Sequence, residues 1–357
     1  MGAKKPVQVG IVGCGQVAQG FHIPSLLKIN NVKIVALCDK NEELARGVAT
    51  RFDINRHYAD FSEMLKKEEL DMVDICTPQK THASLSIQAM EAGCHILVEK
   101  PMALGIKESD EMVSASKENQ VKLCVVHNEL FSPVMMKAKS MVSEGSIGDL
   151  LGIHIIYSKR KDDDWILNKE HWCHKLPGGI FGDTLPHVIY LAAWFLGDLS
   201  PKEVYARKLS KYDWMVADEL TAVIEGKNGM GTITSSCNWH KSTLILQIFG
   251  TKMSLHVDPW NSVMIRYGIG GQSRPSRGLK NLSQSFQQFA CTASTALNVI
   301  LGRHHNGHYT LIRRFIESIQ NATEPPVTGD EGREVVRVLQ EITGLIGGHP
   351  GKDRLKE

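Results

Sequence analysis

The sequence predicts an α/β domain with a doubly wound parallel sheet, followed by an α+β domain with a mainly antiparallel sheet. The chain has 357 residues, which is too long for one ordinary hydrophobic core and suits two domains. Strand and helix patterns alternate over about the first 126 residues, whereas strand patterns follow one another directly from residue 203 onward. Alternation is typical of parallel sheets, and direct succession is typical of antiparallel ones.

Residues 1–127 are predicted to form the first domain. Its strand patterns are short, rich in β-branched residues and nearly continuously apolar, as expected for a sheet covered on both faces. They lie at Val7–Val12, Lys33–Cys38, Met72–Cys76, His95–Val98 and Lys122–Val126. Helical patterns between them lie at Glu42–Arg51, Ala83–Glu91 and Lys107–Glu118.

Residues 128–357 are predicted to form the second domain. An alternative stays open in which the C-terminal helix packs back on the first domain. Its predicted helices are Ser132–Glu144, Asp183–Leu196, Thr310–Gln320 and Arg333–Leu345. Its predicted strands are Ile153–Tyr157, Glu203–Leu209, Leu220–Glu225, Gly231–Trp239, Leu244–Phe249, Met253–Val257 and Val263–Tyr267. A loop is predicted over Gly270–Ser276 and a weak helix over Ser283–Leu301, and the role of residues 269–303 stays open.

Composition excludes several classes of partner. Apolar residues make up 42% and charged residues 22% of the chain, which is typical of a folded globular protein. A formal net charge of +2 does not indicate a basic surface of the kind that binds nucleic acid. No apolar run reaches the roughly 18 residues that a membrane-spanning helix needs. We recognise no secretory signal, and cysteines in or beside apolar strand patterns, such as Cys38 and Cys124, suit buried thiols. We therefore expect a cytoplasmic protein.

A nucleotide-binding pattern follows the first strand. Gly13-Cys14-Gly15-Gln16-Val17-Ala18 has the form G-x-G-x-x-G/A and is expected to open a helix. Gly13 allows a tight turn, Gly15 lets backbone amides approach a pyrophosphate, and Ala18 allows close packing of helix on strand. We therefore assign Gly13, Gly15, Gln16 and Val17 to dinucleotide binding. A glycine turn in an unrelated α/β protein is the alternative.

Further cofactor contacts are expected where other strands end. Asp39 ends the second strand, where an acidic residue binds ribose hydroxyls and repels a 2′-phosphate. NAD is therefore favoured over NADP, although the neighbouring Lys40 weakens that preference. Thr77 and Pro78 end another strand at the edge where ligands of this fold bind, and a plain strand-ending turn is an equal alternative.

Two clusters carry candidate catalytic residues. Glu99 and Lys100 follow an apolar strand, so we assign both to the cofactor edge. Lys100 there can stabilise negative charge on an oxygen as hydride leaves carbon, unless it is a solvated loop lysine. Asp183 and His187 are four residues apart on one helix face. His187 can take a hydroxyl proton, and Asp183 can orient substrate or hold Lys100 charged.

The second cluster also has a purely structural interpretation. Asp183 would then be an N-cap and His187 a buried side chain with its hydrogen bonds made inside the protein, with Pro186 in the first helical turn.

Other polar groups also have two interpretations. Asn128, Lys159 and Arg160 are either candidate substrate contacts or ordinary surface residues. His171-Trp172-Cys173-His174 fits no usual zinc spacing, so no metal is expected. A solvated loop is expected to carry His304, His305 and His308.

Together these segments resemble the glucose–fructose oxidoreductase / inositol dehydrogenase / MocA (Gfo/Idh/MocA) family. The matching segments are 13–18, 36–39, 99–101, 178–187 and 328–332. The resemblance implies an N-terminal Rossmann domain, a C-terminal domain with an open-faced, mainly antiparallel sheet, and Lys100, Asp183 and His187 as the residues that face substrate. The chain departs from the family at Ile180-Phe181 and Pro186, where many relatives have glycine, so we expect a different pocket wall.

The function that follows is NAD(P)-dependent hydride transfer to or from a hydroxyl-bearing carbon of a sugar, polyol or sugar derivative. Two alternatives stay open: a glycosidase of the same family that uses NAD transiently, and a non-catalytic sensor that binds a dinucleotide. A homo-oligomer, either dimer or tetramer, is also expected. The identity of the substrate and the physiological direction of transfer cannot be read from the sequence.

Overall fold

A computed structural model describes residues 5–268, 273–302 and 306–346. Contacts divide the chain into two compact units. The first comprises residues 1–128 and 306–337, and the second comprises residues 129–305 and 338–357. Among the described residues, no helix is both long and apolar enough to cross a membrane.

The first unit is built on a parallel sheet. Within the described ranges this sheet has six strands in the order β3-β2-β1-β4-β5-β6, and every neighbouring pair is parallel. The strands are β1 Val7–Val12, β2 Val32–Cys38, β3 His57–Tyr58, β4 Met72–Ile75, β5 His95–Val98 and β6 Leu123–Val125. The order reverses between β1 and β4, which is the switch point where ligands bind in such sheets. The predicted doubly wound sheet is confirmed.

Six α-helices among the described residues lie wholly in this unit, and five of them lie between its strands in the chain. They are α1 Ile23–Leu26, α2 Glu42–Arg51, α3 Phe61–Lys67, α4 His82–Glu91, α5 Ile106–Glu118 and, from the C-terminal part of the chain, α10 Gly307–Asn321. In α2 the buried residues Ala45, Val48 and Ala49 recur at helical spacing. The side chain of Asn41 caps α2 by accepting a hydrogen bond from the backbone N–H of Leu44.

The second unit is built on a larger, mixed sheet. In the described part of the chain it has seven strands in the order β13-β12-β11-β7-β10-β9-β8. They are β7 Leu150–Arg160, β8 Leu199–Arg207, β9 Glu219–Gly226, β10 Gly229–Trp239, β11 Thr243–Gly250, β12 Met253–Asp258 and β13 Val263–Gly268. Only the β7–β10 pair of this sheet is parallel. The predicted mainly antiparallel sheet is confirmed.

The helices of the second unit are α6 Pro133–Ser143, α7 Asp164–Leu167, α8 Phe181–Leu196 and α9 Arg274–Ile300. In β11, Leu244, Leu246 and Ile248 alternate with less buried residues, as expected when one face of a strand is covered. The helix that follows α10, α11 Gly329–Gly344, belongs to the first unit up to Arg337 and to the second unit beyond it.

The prediction for residues 270–276 was partly wrong. Residues 270–272 lie outside the described residues, but Arg274 already begins α9, a helix of 27 residues. The Ser273 side chain accepts a hydrogen bond from the backbone N–H of Ser276, and Pro275 lies in the first turn. Proline is tolerated there because a first-turn N–H has no intrahelical partner. Pro275, which was predicted to lie in a loop, therefore lies at the start of a helix.

Candidate active site

The turn after β1 requires glycine at residue 13. Gly13 has a φ of +94°, and a Cβ placed on it would lie 2.7 Å from the carbonyl carbon and oxygen of Cys76. A Cβ on Gly15 would instead meet no protein atom within 4 Å. Packing within the chain therefore demands glycine at residue 13 but not at residue 15. The absence of a side chain at Gly15 leaves a shallow backbone cradle.

The helical segment that follows this turn contains a π-helical turn, Ala18–His22, which runs into α1. Ala18 is fully buried, Val17 is half-buried and Gln16 is exposed. The Gln19 side chain donates a hydrogen bond to the backbone carbonyl of Cys14 at 2.8 Å. The sequence pattern indicated that a helix begins here, but it carried no signal for the wider π turn.

Asp39 is tied to the glycine turn. One carboxylate oxygen accepts a hydrogen bond from the backbone N–H of Cys14 at 2.9 Å, and the other accepts one from the backbone N–H of Asn41 at 2.9 Å. Each carboxylate oxygen can accept more than one hydrogen bond, so Asp39 keeps capacity for hydroxyl donors. The carboxylate is therefore held in place at the carboxyl end of β2, beside the cradle.

Thr77 and Pro78 follow β4, and His82 holds this turn. His82 Nε2 lies 2.7 Å from the carbonyl oxygen of Thr77, and its Nδ1 lies 2.9 Å from the carbonyl oxygen of Pro101. Burial lowers the pKa of His82, whereas the hydrogen bonds to these two carbonyls favour the charged ring. His82 therefore links the turn at residues 77–78 to the segment that carries Lys100. Sequence reasoning missed this residue.

Glu99 belongs to a buried network centred on His22. The carboxylate oxygens of Asp74 lie 2.9 and 3.0 Å from Nδ1 of His22, and Glu99 Oε1 lies 3.0 Å from its Nε2. Burial by itself lowers the pKa of His22, but the charge of Asp74 and the hydrogen bond to it raise the pKa well above its usual value. His22 is therefore an imidazolium held between two carboxylates.

The same network keeps Glu99 ionised. Burial alone would raise its pKa, but the hydrogen bond from His22 and the charge of that ring lower the pKa to about 2. The other carboxylate oxygen of Glu99 accepts a hydrogen bond from the backbone N–H of Lys100 at 3.1 Å. His22 and Glu99 thus hold the backbone at Lys100, whose side chain is half-buried.

His308 is also part of this cluster, so its assignment to a solvated loop was wrong. It lies in α10, is buried, and stacks on Phe21 with ring centroids 4.6 Å apart. Burial, together with the nearby charge of His22, lowers the pKa of His308 to about 3, so the ring is neutral. The other two histidines of that predicted loop, His304 and His305, lie outside the described residues.

Two sets of side chains in the described ranges bring potential metal-ligand atoms within 4.8 Å of one another. They are His22 with Asp74 and Cys76, and His22 with Glu99 and His308. Both sets share His22, whose two ring nitrogens already face carboxylates at hydrogen-bond distance. The ion pairs account for this arrangement without a metal, and the absence of a metal site stays a prediction.

The second cluster lies on α8. Asp183 is buried in the first turn of this helix, and Ile180 is its N-cap residue, so the N-cap interpretation of Asp183 was wrong. Pro186 lies inside α8 and not in its first turn, because the helix already begins at Phe181. His187 is half-buried, one turn after Asp183.

Tyr190 orients the ring of His187. Its phenol oxygen lies 2.9 Å from His187 Nδ1 and also accepts a hydrogen bond from the backbone N–H of Glu129 at 3.2 Å. If Nδ1 carries the ring proton and donates it to Tyr190, Nε2 is the unprotonated nitrogen of a neutral ring, the form in which histidine acts as a base. Tyr190 was missed because a tyrosine within an apolar helical segment carries no signal for which side chain its hydroxyl contacts.

Tyr157 packs against the same histidine. Its ring is parallel to that of His187, with an interplanar angle of 6° and centroids 6.1 Å apart. Burial raises the pKa of Tyr157 well above its usual value, and the charge of Asp183 adds to this effect. Tyr157 therefore stays a neutral phenol beside His187. It was predicted only as the end of an apolar strand.

The remaining substrate candidates differ in exposure. Asn128 is buried and begins a short 3₁₀ turn, Asn128–Phe131. Lys159 lies at the end of β7 with its Nζ 3.9 Å from the ring centroid of Trp165, a cation–π contact. Arg160 is exposed and its Nε pairs with Asp162 at 2.5 Å. The geometry of Arg160 is therefore that of a surface ion pair.

The turn before α8 packs closely on α11 at Gly178. Gly178 has a φ of +75°, and a Cβ there would lie 2.5 Å from Cγ2 of Thr343. Ile180 and Phe181, where the chain departs from the family pattern, are both buried in the core.

In the segment 171–174, which was predicted to hold no metal, His171 Nδ1 lies 3.1 Å from Sγ of Cys173. All eight cysteines, each in the described ranges, carry free thiols.

The first unit fits a dinucleotide. Gly15 gives a cradle that a side chain would fill, and Asp39 presents a fixed carboxylate at the end of the neighbouring strand. These features lie at the switch point of a doubly wound sheet, where nucleotides bind. The fold and this cradle define a dinucleotide-binding protein.

Comparison with known proteins agrees with this class. Residues 7–127 match the family described as "Oxidoreductase family, NAD-binding Rossmann fold", and residues 135–256 match the "GFO/IDH/MocA C-terminal domain". The chain therefore belongs to the Gfo/Idh/MocA oxidoreductase family, as the sequence motifs predicted. It is an NAD-binding oxidoreductase.

Several relatives resemble the chain over nearly its whole length. The uncharacterized oxidoreductase YrbE of Bacillus subtilis is 26% identical over 94% of this chain and 93% of its own. The myo-inositol 2-dehydrogenase of Thermotoga maritima is 23% identical over 98% and 97%, respectively. The WlbA dehydrogenase of Bordetella pertussis, solved with NADH and UDP-GlcNAcA, has a TM-score of 0.79 at 20% identity and covers 97% of this chain and 96% of its own.

Proposed function

We propose that this chain transfers a hydride between nicotinamide and a hydroxyl-bearing carbon of a sugar, polyol or sugar derivative. The observation that carries the proposal is the contact of His187 Nδ1 with the phenol of Tyr190, 2.9 Å away. A proton on Nδ1 leaves Nε2 as an acceptor for a hydroxyl proton, as alcohol oxidation requires. The full-length similarity to a myo-inositol dehydrogenase supports the substrate class.

Each of the proposed catalytic residues has one task. Bound NAD supplies the hydride acceptor, or in the reverse direction NADH supplies the donor. His187 takes the hydroxyl proton at Nε2. Lys100 hydrogen-bonds the same oxygen and stabilises its developing negative charge. Asp183, a buried carboxylate one turn before His187, orients the substrate.

The remaining assignments concern binding. We propose that Gly13, Gly15, Gln16, Val17 and Asp39 bind the dinucleotide, with Thr77, Pro78, Glu99 and Lys100 lining its nicotinamide end. Asn128, Lys159 and Arg160 are proposed as contacts to the substrate. NAD is the proposed cofactor in preference to NADP, because the Asp39 carboxylate is fixed where a 2′-phosphate would meet its charge.

The domain organisation and assembly are proposed in the same way. Residues 1–127 bind the dinucleotide, and residues 128–357 supply the substrate-binding part, except that residues 306–337 pack back on the first unit. The protein is proposed to be cytoplasmic and to form a homo-oligomer. WlbA was solved with a nucleotide-sugar acid, whereas the Thermotoga relative is named for an inositol, so both polyols and acidic sugar derivatives belong in a substrate screen.

The test is a screen of inositols, hexoses, sugar acids and nucleotide sugars with NAD and with NADP, followed at the nicotinamide absorbance. Lys100→Met and His187→Ala are expected to abolish turnover. His187→Ala should retain NAD affinity, and Lys100→Met should still bind NAD through the glycine cradle and Asp39, with at most a modest loss from the nicotinamide end. Normal rates in both variants would reject the proposed roles. Glycoside cleavage without net change in nicotinamide absorbance would favour the transient-NAD glycosidase instead. NAD binding with no turnover of any substrate would favour the sensor.

A further inference from the structure

Helix α9 exposes its apolar residues and turns its polar residues toward the protein. None of its residues, all of which are described, is buried. The half-buried positions are mostly polar: Ser276, Lys280, Gln284, Gln287, Cys291 and Thr295. Gln287 accepts a hydrogen bond from the backbone N–H of Arg266, and the Cys291 thiol donates one to the backbone carbonyl of Met264. The polar stripe therefore packs on β13.

The apolar residues form a separate stripe that faces solvent. Leu279 and Leu282 are each 68% exposed, Phe286 is 70% exposed and Phe289 is 68% exposed. An amphipathic helix on a monomeric protein ordinarily buries this stripe against its own core. Four large apolar side chains in a row on the outer face indicate that another surface covers them.

The spacing of this stripe identifies a helix as the covering surface. Apolar residues recur at alternating intervals of three and four: Leu279, Leu282, Phe286, Phe289, Ala293, Ala296 and Ile300. This is a heptad repeat with positions a and d occupied throughout, the narrow seam of a coiled coil. A sheet or a lipid surface selects a wider apolar face of period 3.6, whereas a narrow a/d seam of period 3.5 is typical of a second helix that supercoils around the first.

A second copy of the same helix fits the charge pattern. The positions that flank the seam hold Ser283, Ser285, Ala290, Thr292, Leu297 and Val299. No like charges therefore oppose each other along a self-paired seam. The charges of α9 are Arg274, Arg277 and Lys280, all near its N-terminus. Antiparallel pairing separates the two basic clusters and places each toward the negative end of the partner's helix dipole.

Side-chain volumes favour the same orientation. Parallel pairing would place Phe289 opposite Phe289 and Ala293 opposite Ala293, so that crowded and empty layers alternate. Antiparallel pairing can place Phe286 opposite the partner's Ala296, Phe289 opposite the partner's Ala293, and Leu282 opposite the partner's Ile300. Each phenylalanine then packs against an alanine, and Leu282 meets an aliphatic side chain of similar size, so no layer is crowded or empty, as close packing requires.

We propose that α9 is a self-association surface, where two copies of the chain pair as an antiparallel two-helix coiled coil along this seam. The pairing is symmetric, because each copy contributes the same residues to the other. In this register residues 282–300 of the two copies face each other, which gives a paired seam about 28 Å long. This inference rests on the proposed homo-oligomer and is independent of the proposed catalysis.

The first experiment is the molar mass of the full-length protein, measured by light scattering after size exclusion. Phe286→Asp/Phe289→Asp places two charges on the seam and is expected to reduce the mass at least two-fold. Asn281→Asp/Gln288→Asp places the same charges on the same helix at exposed positions off the seam, and its mass is expected to match the wild type. A circular dichroism spectrum and a Tm that match those of the wild type report that both variants are folded, including the second unit, which contains α9.

The second experiment tests orientation by cysteine cross-linking under mild oxidation. Phe289→Cys/Ala293→Cys is expected to form a covalent dimer, because the register places these two positions opposite each other in neighbouring copies. Ala293→Cys alone is expected to stay uncross-linked above the wild-type background. Efficient cross-linking of that single variant would indicate parallel pairing and overturn the proposed orientation.

Three other results would overturn the surface itself. An unchanged mass in Phe286→Asp/Phe289→Asp would place the self-association elsewhere while leaving the homo-oligomer intact. A monomeric wild type would reject both the surface and the homo-oligomer. A monomeric wild type that sediments with anionic phospholipid vesicles, and loses this property in Phe286→Asp/Phe289→Asp, would identify the stripe as a lipid-binding face.

Discussion

Replacing His22 by glutamine is expected to destabilise the first unit strongly, because it leaves two buried carboxylates without their shared cation. His22 is fully buried, with Asp74 at 2.9 Å from one ring nitrogen and Glu99 at 3.0 Å from the other. Glutamine keeps roughly the volume and one donor group but not the charge. The perturbation therefore removes the charge and leaves most of the packing.

The size of the effect follows from the two ion pairs. Removing one partner of a buried ion pair costs about 3–5 kcal/mol, because the remaining charge stays desolvated. The pKa of Glu99, held at about 2 against an ordinary value of 4.5, corresponds to about 3 kcal/mol of stabilisation of the carboxylate. For domains of about 150–250 residues, each kcal/mol shifts Tm by about 2–4 °C. We therefore expect His22→Gln to lower Tm by about 6–20 °C.

The assay is thermal and urea unfolding without cofactor, with circular dichroism as the signal. His57→Gln is the matched control, since His57 is a half-buried histidine of the same unit on the short strand β3. The double variant His22→Gln/Asp74→Asn is expected to recover part of the loss, because one uncompensated carboxylate is then neutral. A His22→Gln protein that unfolds within about 1 kcal/mol of the His57→Gln control would refute the reasoning.

Three further predictions follow from the same geometry. Burial lowers the pKa of both His127 and His308 to about 3. The unfolded chain therefore binds these protons at a higher pH than the folded protein does. The free energy of unfolding falls as pH drops from 6.5 toward 3, by about 1.4 kcal/mol per pH unit for each group. His308→Phe should remove one such contribution, and an unchanged dependence of the free energy of unfolding on pH, measured by urea unfolding, would contradict the assignment. Tyr190→Phe should lower kcat about 10-fold and alter the pH profile of kcat/KM while NAD affinity is retained, because one hydrogen bond that orients His187 is lost. An unchanged pH profile of kcat/KM would argue against orientation of His187 by Tyr190. Asp39→Ala should shift the ratio of NAD to NADP affinity by about 10- to 100-fold toward NADP, because the variant loses both the hydrogen bonds to a charged carboxylate and the repulsion of a 2′-phosphate. Both affinities are measured by fluorescence titration, and an equal loss of both would indicate that Asp39 only holds the glycine turn.

Local patterns were sufficient for most of the fold. The predicted β1 and α2 have the same bounds as the observed Val7–Val12 and Glu42–Arg51. A continuous apolar run marks a strand buried on both faces, and a capping residue before a periodic stretch marks a helix start. Both signals lie within one element and therefore need no knowledge of distant residues. The glycine turn at residue 13 was readable for the same reason.

Two local interpretations failed because more than one structure fits the same residues. Pro275 after a glycine-rich segment was taken as part of a loop, but proline is equally suited to the first turn of a helix, which is where it lies in α9. Pro186 was placed in a first turn, yet α8 begins five residues earlier, at Phe181. Where a helix begins depends on how far the preceding glycines extend the turn, and composition does not decide that.

What the sequence determined by itself was the order of strands and helices, the family, and the motif residues, because each is encoded in neighbouring positions. Only the tertiary structure brought His22, Asp74, Glu99 and His308 into one buried cluster. These residues are far apart in the chain, and each alone is an unremarkable polar residue in an apolar context. Their charges are fixed by mutual burial and contact, which are properties of the folded arrangement and of no single segment.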